Sequence, residues 1–202
     1  PCIYAYGFNG ITTDSNETRN VAEFLESSGS EINVLNNKNV PGNIYASDSS
    51  GTISGNSFTC SGVSGDTPCI YLRNSNSMVV SGNEINDSKG NGITLEAGGT
   101  VTVKENTIRR ASKAGIFASD NVTLIANNNI IDTIKENGIH VLKNSKLNAA
   151  GNTIQNVLQS GILLNSSRDN CEVNGNNKIS NTGISGIFID SNCKNVLVST
   201  NE

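Results

Sequence analysis

The sequence predicts an all-β chain, a right-handed parallel β-helix of about eight coils, and three observations lead there. A Gly-Ile step recurs at Gly92-Ile93, Gly115-Ile116, Gly138-Ile139, Gly161-Ile162 and Gly186-Ile187, with Asn43-Ile44 and Cys69-Ile70 as variants. Ile70, Ile93, Ile116, Ile139 and Ile162 of that step are spaced 23 residues apart every time. A second marker, an Asn just past a Val- or Leu-rich run, stands at Asn56, Asn83, Asn106, Asn129, Asn152, Asn176 and Asn201, and keeps the same period of 23 from Asn83 to Asn152. The third observation is composition: about one residue in six is Asn, Ile outnumbers Leu about two to one, and there is no Trp among the 202 residues. Ile, Val, Thr, Asn and Gly favour strands and turns, whereas helices are built from Leu, Ala, Glu and Lys.

Taken in order, Gly10-Ile11 opens a first short strand. Over residues 16–28, Val21, Phe24 and Leu25 share one helical face, Thr18 suits an N-cap and Gly29 a stop. This pattern predicts a short helix inserted before the Ile32–Val34 strand, where it would cover an open solenoid end. Asn37 is an early, weaker copy of the Asn marker. Residues 1–42 therefore read as irregular N-terminal coils with an inserted helix, and residues 43–202 as the regular array of one continuous solenoid domain, a piece of a larger protein. Cys60 and Cys69 flank the polar loop 61–68. They either staple it in an oxidising compartment or act as small apolar fillers. With Cys2, Cys171 and Cys193 they show no metal-ligand spacing.

Within one regular coil, Ile93 and Leu95 alternate with Thr94 and Glu96, Gly98-Gly99 turns the chain, Val101 and Val103 form a second alternating strand, and Asn106 turns it again before Ile108. Each alternating run sends one set of side chains inward. So few inward residues cannot bury a core alone, but stacked coils place every inward Ile or Val on its counterpart below. An Asn stacked at each turn can hydrogen-bond to the coils on either side, which gives the second marker a physical role. Left-handed hexapeptide helices need a period near 18 and calcium-binding rolls need Gly-Gly-x-Gly-x-Asp runs; neither occurs here.

A net charge of −4 and a pI near 5 give no basic face for nucleic acid. No apolar run approaches the roughly 18 residues of a membrane span. The chain opens Pro1-Cys2-Ile3-Tyr4, which reads as a processed or excised piece whose targeting signal lies elsewhere. The Asn-x-Ser/Thr sequons at Asn16, Asn86, Asn121 and Asn165 are expected by chance in so Asn-rich a chain.

The Gly-Ile-x-Φ step followed by Φ-x-Φ-x-x-Asn-x-Ile resembles the pectate-lyase-like superfamily of right-handed β-helices, in particular its Asn-rich carbohydrate-binding and sugar-hydrolysis repeats. The resemblance covers residues 43–202 well and the first 40 residues poorly. It implies that the first strand of each coil forms a sheet carrying a polysaccharide cleft. By register the outward residues of that sheet are Tyr71, Thr94, Phe117, His140, Leu163 and Phe188, flanked by a column that includes Arg73, Glu96, Ser119 and Asp190. Of these, Tyr71, Arg73, Thr94, Glu96, Phe117, Leu163, Phe188 and Asp190 are the expected substrate-binding residues, because aromatic faces stack on sugar rings and exposed apolar strips mark binding surfaces.

His140 is the only histidine and falls in the middle of the strip. Uronate lyases of this type use a Lys or Arg base with a cation such as Ca²⁺, so the resemblance nominates Lys113 and Arg110 with His140 as catalytic candidates. No other cofactor is expected. The three aspartates of related hydrolases and the Asp-Pro-His step of related epimerases are missing. The expected function is an extracellular or cell-surface module that binds an extended polysaccharide. The alternatives are a stalk, adhesin or tailspike-like shaft, or a uronate lyase or epimerase. A neighbouring domain or a second copy is a further expected partner.

Overall fold

A computed structural model describes residues 3–7, 10–17, 23–62, 64–165, 170–190 and 192–202. The chain winds into three parallel sheets, two of which run through all the described coils, as the repeat predicts. Sheet 1 has nine strands: Ile3–Tyr6, Glu23–Ser28, Asn43–Ser47, Ile70–Arg73, Ile93–Glu96, Ile116–Ala118, Ile139–Leu142, Ile162–Asn165 and Ile187–Ile189. Sheet 2, also of nine strands, runs from Ile11–Asp14 to Leu197–Val198. Sheet 3 has six, from Ser57–Thr59 to Lys178–Thr182, so the first coils lack a third strand among the described residues. Successive sheet-1 strands are one coil apart in sequence, and about eight coils stack in this way.

The register is the period made visible. Ile70, Ile93, Ile116, Ile139 and Ile162 pair in succession, and each is 0% exposed. Val101, Leu124 and Leu147 stack likewise in sheet 2, as do Ile108, Ile131 and Ile154 in sheet 3. Fully burying one such side chain is worth about 1.5–3 kcal/mol. No coil holds enough of them alone, so the stability belongs to the stack. No helix of the described residues is long and apolar enough to cross a membrane.

The turn between sheets 2 and 3 carries the Asn ladder. Asn37, Asn56, Asn83, Asn106, Asn129 and Asn152 each donate backbone N–H and side-chain Nδ2–H to the Oδ1 of the next rung, at 2.8–3.1 Å. Asn37 is thus a full rung rather than a weak copy. The predicted rung at Asn176 is corrected to Asn177, which accepts from Asn152 and passes the ladder to Asn201. Asn176 sits at φ 63°, the left-handed place that Gly55, Gly82, Glu105, Asn128 and Gly151 hold before the other rungs. The step from Asn152 to Asn177 is 25 residues, two longer than the regular period.

The predicted helix over residues 16–28 is also corrected. Glu23–Ser28 is a strand of sheet 1, and Glu17 bridges to Lys38; Thr18 and Val21 lie outside the described residues. The strand pairs with Asn43–Ser47 through a register shift between Glu23 and Leu25. Phe24 is the extra residue of that bulge, so Phe24 and Leu25 are both buried although adjacent, an arrangement that a period-3.6 pattern imitates. The sheets continue without a break across residue 42. Cys60 and Cys69 form a disulfide that closes the loop at its base.

Candidate functional site

The outward face of sheet 1 has the predicted side-chain order, extended by one coil at the N-terminal end. Tyr45, Tyr71, Thr94, Phe117, His140, Leu163 and Phe188 pair in succession along it. At about 4.8 Å per strand this column is roughly 30 Å long. Tyr45 was legible as the residue after the Asn43-Ile44 variant of the Gly-Ile step, but was not singled out in the sequence.

The column is uneven. Tyr45 and Tyr71 stack with ring centroids 5.0 Å apart and planes 25° from parallel. The Tyr71 hydroxyl donates to Glu96 Oε2 at 2.6 Å, which fixes the ring on the sheet. Burial, and then the Glu96 carboxylate, push the Tyr71 hydroxyl above its usual pKa range, so it remains a donor. Thr94 is outward by register yet only 4% exposed, and its hydroxyl accepts a hydrogen bond from Asn91 Nδ2 at 2.9 Å. It is a floor between Tyr71 and Phe117 rather than a free contact group. Phe117 meets His140 edge to face at 5.4 Å. Leu163 and the more exposed Phe188 line a hollow of about 220 Å³ with Ile184, Gln159 and Asn165.

The flanking column is less regular. Arg73 and Glu96 pair by register, and Arg73 is exposed. Ser119 is 1% exposed and donates to Asp120 Oδ2, so it does not join that column as a contact residue. Asp190 is half-buried, with its N–H on Leu164 O.

His140 is half-buried, and its Nε2 is buried with no hydrogen-bond partner. Burial holds its pKa below the ordinary value, so the imidazole is neutral at pH 7. In the unfolded chain it takes a proton near its ordinary pKa of about 6.5, whereas the folded chain resists until a lower pH. Stability contributed by the neutral ring is therefore complete above about pH 6.5 and falls as pH drops through the folded value. A ring-proton NMR titration is expected to give a midpoint below about 6.5, and His140→Gln to lose less stability than wild type between about pH 7 and pH 5. A midpoint at or above the ordinary value would contradict the burial.

Arg110 and Lys113 lie on the turn that leads into the Ile116–Ala118 strand. Arg110 grips Asp87 with Nε at 2.6 Å and Nη2 at 3.0 Å. Lys113 meets Asp66 at 2.8 Å. These carboxylates raise the pKa of both cations. A base must give up its proton, and both groups are held in the protonated form. Among the described residues no group of three or more His, Cys, Asp or Glu side chains is placed to hold a metal ion.

A second hollow, of about 490 Å³, opens beside the tyrosine pair. It is lined by Asn43, Tyr45, Tyr71 and Arg73 on the sheet and by loop residues 64–68. Nothing in the repeat pattern announces it, because it depends on how the loop folds back over the sheet.

Three parallel sheets, an inward Ile column and an internal Asn ladder define a right-handed parallel β-helix. Residues 1–154 match the family described as the right-handed beta helix region, and the chain belongs to it. No curated protein matches it in sequence. Among solved structures it is similar to the periplasmic alginate epimerase AlgG, at 16% identity and a TM-score of 0.72, over 88% of this chain and 49% of that one. A double mutant of AlgG aligns at 12% identity and a TM-score of 0.59, over 98% of this chain and 70% of that one. The catalytic domain of a GH87 alpha-1,3-glucanase aligns at 13% identity and a TM-score of 0.47, over 98% and 56%. At these identities the likeness concerns the fold, and the chain spans about half the length of the first of these structures.

Proposed function

We propose that the chain is a secreted or surface module that binds an extended polysaccharide along the outward face of sheet 1. One observation carries this: a column of aromatic and apolar side chains from Tyr45 to Phe188, interrupted at Thr94, on a parallel sheet. A polymer of sugar rings repeats along its length, and a column with one side chain per coil presents successive stacking faces to it. The alginate epimerase with the same fold acts on a polysaccharide, which supports the reading. The Cys60–Cys69 disulfide fits an oxidising compartment.

Binding without catalysis is favoured, because Arg110 and Lys113 are committed to Asp87 and Asp66. The shaft reading draws on the short turns and the strict period, and predicts no glycan retention at all.

The variant carrying Phe117→Ala and His140→Ala is expected to keep its melting temperature within a few degrees and to lose glycan retention at least about tenfold. A glycan array followed by affinity electrophoresis on the hits measures this. Absorbance at about 235 nm on acidic hits reports any unsaturated lyase product. Retention that survives the double substitution would remove sheet 1 as the binding face.

A further inference from the structure

We infer that the hollow beside Tyr45 and Tyr71 is a subsite for one sugar ring bearing an acidic group, a uronate or a sulfated residue of the bound chain. This rests on the polysaccharide reading and narrows it. The volume of about 490 Å³ lies within the range of small-molecule sites. Its floor is the stacked tyrosine pair, whose outer ring surfaces and edges offer apolar contact to the C–H side of a pyranose. Since Tyr71 spends its hydroxyl on Glu96, it meets a ligand through its ring.

Two groups on the walls point to a ligand, a buried acceptor without a partner and an exposed cation without a carboxylate in ion-pair distance among the described residues. Asn43 is only 5% exposed, and its Oδ1 is buried with no hydrogen-bond partner. Such an acceptor is costly to leave unpaired, and a turn of the Asn43 side chain toward the hollow it lines would let a sugar hydroxyl donate to it. Arg73 is exposed at the rim and has no carboxylate within ion-pair distance among the described residues. The nearby carboxylates have other partners: Asp66 takes Lys113, and Glu96 takes the Tyr71 hydroxyl. The cation left over at the rim is the group that recognises a carboxylate or sulfate, with the fork geometry that makes Arg suited to both.

The outer wall is built in advance. The Cys60–Cys69 disulfide closes the loop at its base. Within it Thr67 Oγ1 donates to Ser64 O at 2.7 Å, and Gly90 N donates to Thr67 O at 3.2 Å. The Lys113–Asp66 ion pair ties the loop to the turn two coils on. A Cβ at Gly90 would strike Asp66 O, so that glycine is what lets the loop lie against the next coil. Lys113, nominated as a base, instead supports a wall.

The test is calorimetric binding of an oligogalacturonate, its methyl-esterified neutral form and a sulfated carrageenan oligosaccharide to wild type, Arg73→Gln, Arg73→Lys and Tyr45→Ala. Wild type is expected to prefer at least one anionic probe over the neutral one by about tenfold, and Arg73→Gln to erase that preference. Arg73→Lys should restore part of it, and Tyr45→Ala should weaken all probes. A preference for the uronate alone or the sulfate alone supports the subsite and identifies the acid. Equal binding of charged and neutral probes, or a preference untouched by Arg73→Gln, overturns the subsite while leaving the sheet-1 reading in place. Absence of any binding by wild type, on these probes and on the array, overturns both.

Discussion

Replacing Asn106 with Ala is expected to cost on the order of 3 kcal/mol of unfolding free energy, among the largest single losses available in this chain. Asn106 is 0% exposed. Its Nδ2 donates to Val80 O at 2.9 Å, Lys104 O at 3.0 Å and Asn129 Oδ1 at 3.0 Å. Its Oδ1 accepts from the backbone N–H and the Nδ2 of Asn83, at 3.0 and 2.9 Å. Alanine removes both ends at once and leaves a buried carbonyl and a buried N–H without partners, each costing about 1–3 kcal/mol in part offset by relaxation. Asn106→Asp separates hydrogen bonding from volume, because it keeps the shape and replaces the donor by a carboxylate facing Val80 O. That variant should unfold at least as easily as the alanine at neutral pH. At the ladder's end Asn201 is half-exposed, and Asn201→Ala should cost only about 1 kcal/mol. Denaturant melts of the three variants check the series, and equal losses at Asn106 and Asn201 would show that the ladder does not act as a stack.

The ladder also shows why some of this molecule can be read from its sequence and some cannot. A stacked solenoid repeats its physical requirements each coil, so inward isoleucines and rung asparagines appear as a period, and Ile70 to Ile162 and Asn83 to Asn152 were placed by counting alone. Counting fails where a coil changes length. The longer step after Asn152 put the rung at Asn177 and left Asn176 in the left-handed turn position, although either Asn fits the sequence marker. At Phe24 a bulge buried two adjacent apolar residues and imitated a helix. The binding face was legible as a register and not as a surface. The count gave Thr94 an outward position, but its neighbours cover it, and that depends on side-chain size in adjacent coils. The hollow at Tyr45 required knowing that loop 64–68 leans over the sheet, and the ion pairs of Arg110 and Lys113 cross coils that no local motif connects.

Gly138→Ala is expected to be as damaging as the loss of a rung, for a reason that lies in the backbone. A Cβ on Gly138 would collide with Ile154 Cγ2 and stand 2.6 Å from Gly161 O. The second contact cannot be relieved by a rotamer, because Gly161 O accepts the Ile139 N–H at 2.9 Å and belongs to the sheet-1 ladder. Something must open: the ladder bond, or the packing of Ile154, which is 0% exposed. Overpacking of this kind costs typically 1–3 kcal/mol, and a backbone obstacle places it at about 3 kcal/mol or above. Gly186 supplies the control within the same column. Its Cβ would find only Ile179 Cγ2, at 3.8 Å, because no further strand stacks beyond it among the described residues. Gly186→Ala should therefore stay within about 0.5 kcal/mol of wild type. The Gly-Ile step is thus a requirement for close approach between coils, and it reaches the binding face. Any retreat of the strand at Gly138 moves His140, two residues on, away from its 5.4 Å edge contact with Phe117. Chemical denaturation is expected to show a large loss for Gly138→Ala and almost none for Gly186→Ala. The His140 ring titration in Gly138→Ala should then move back toward the ordinary value, as the ring gains water.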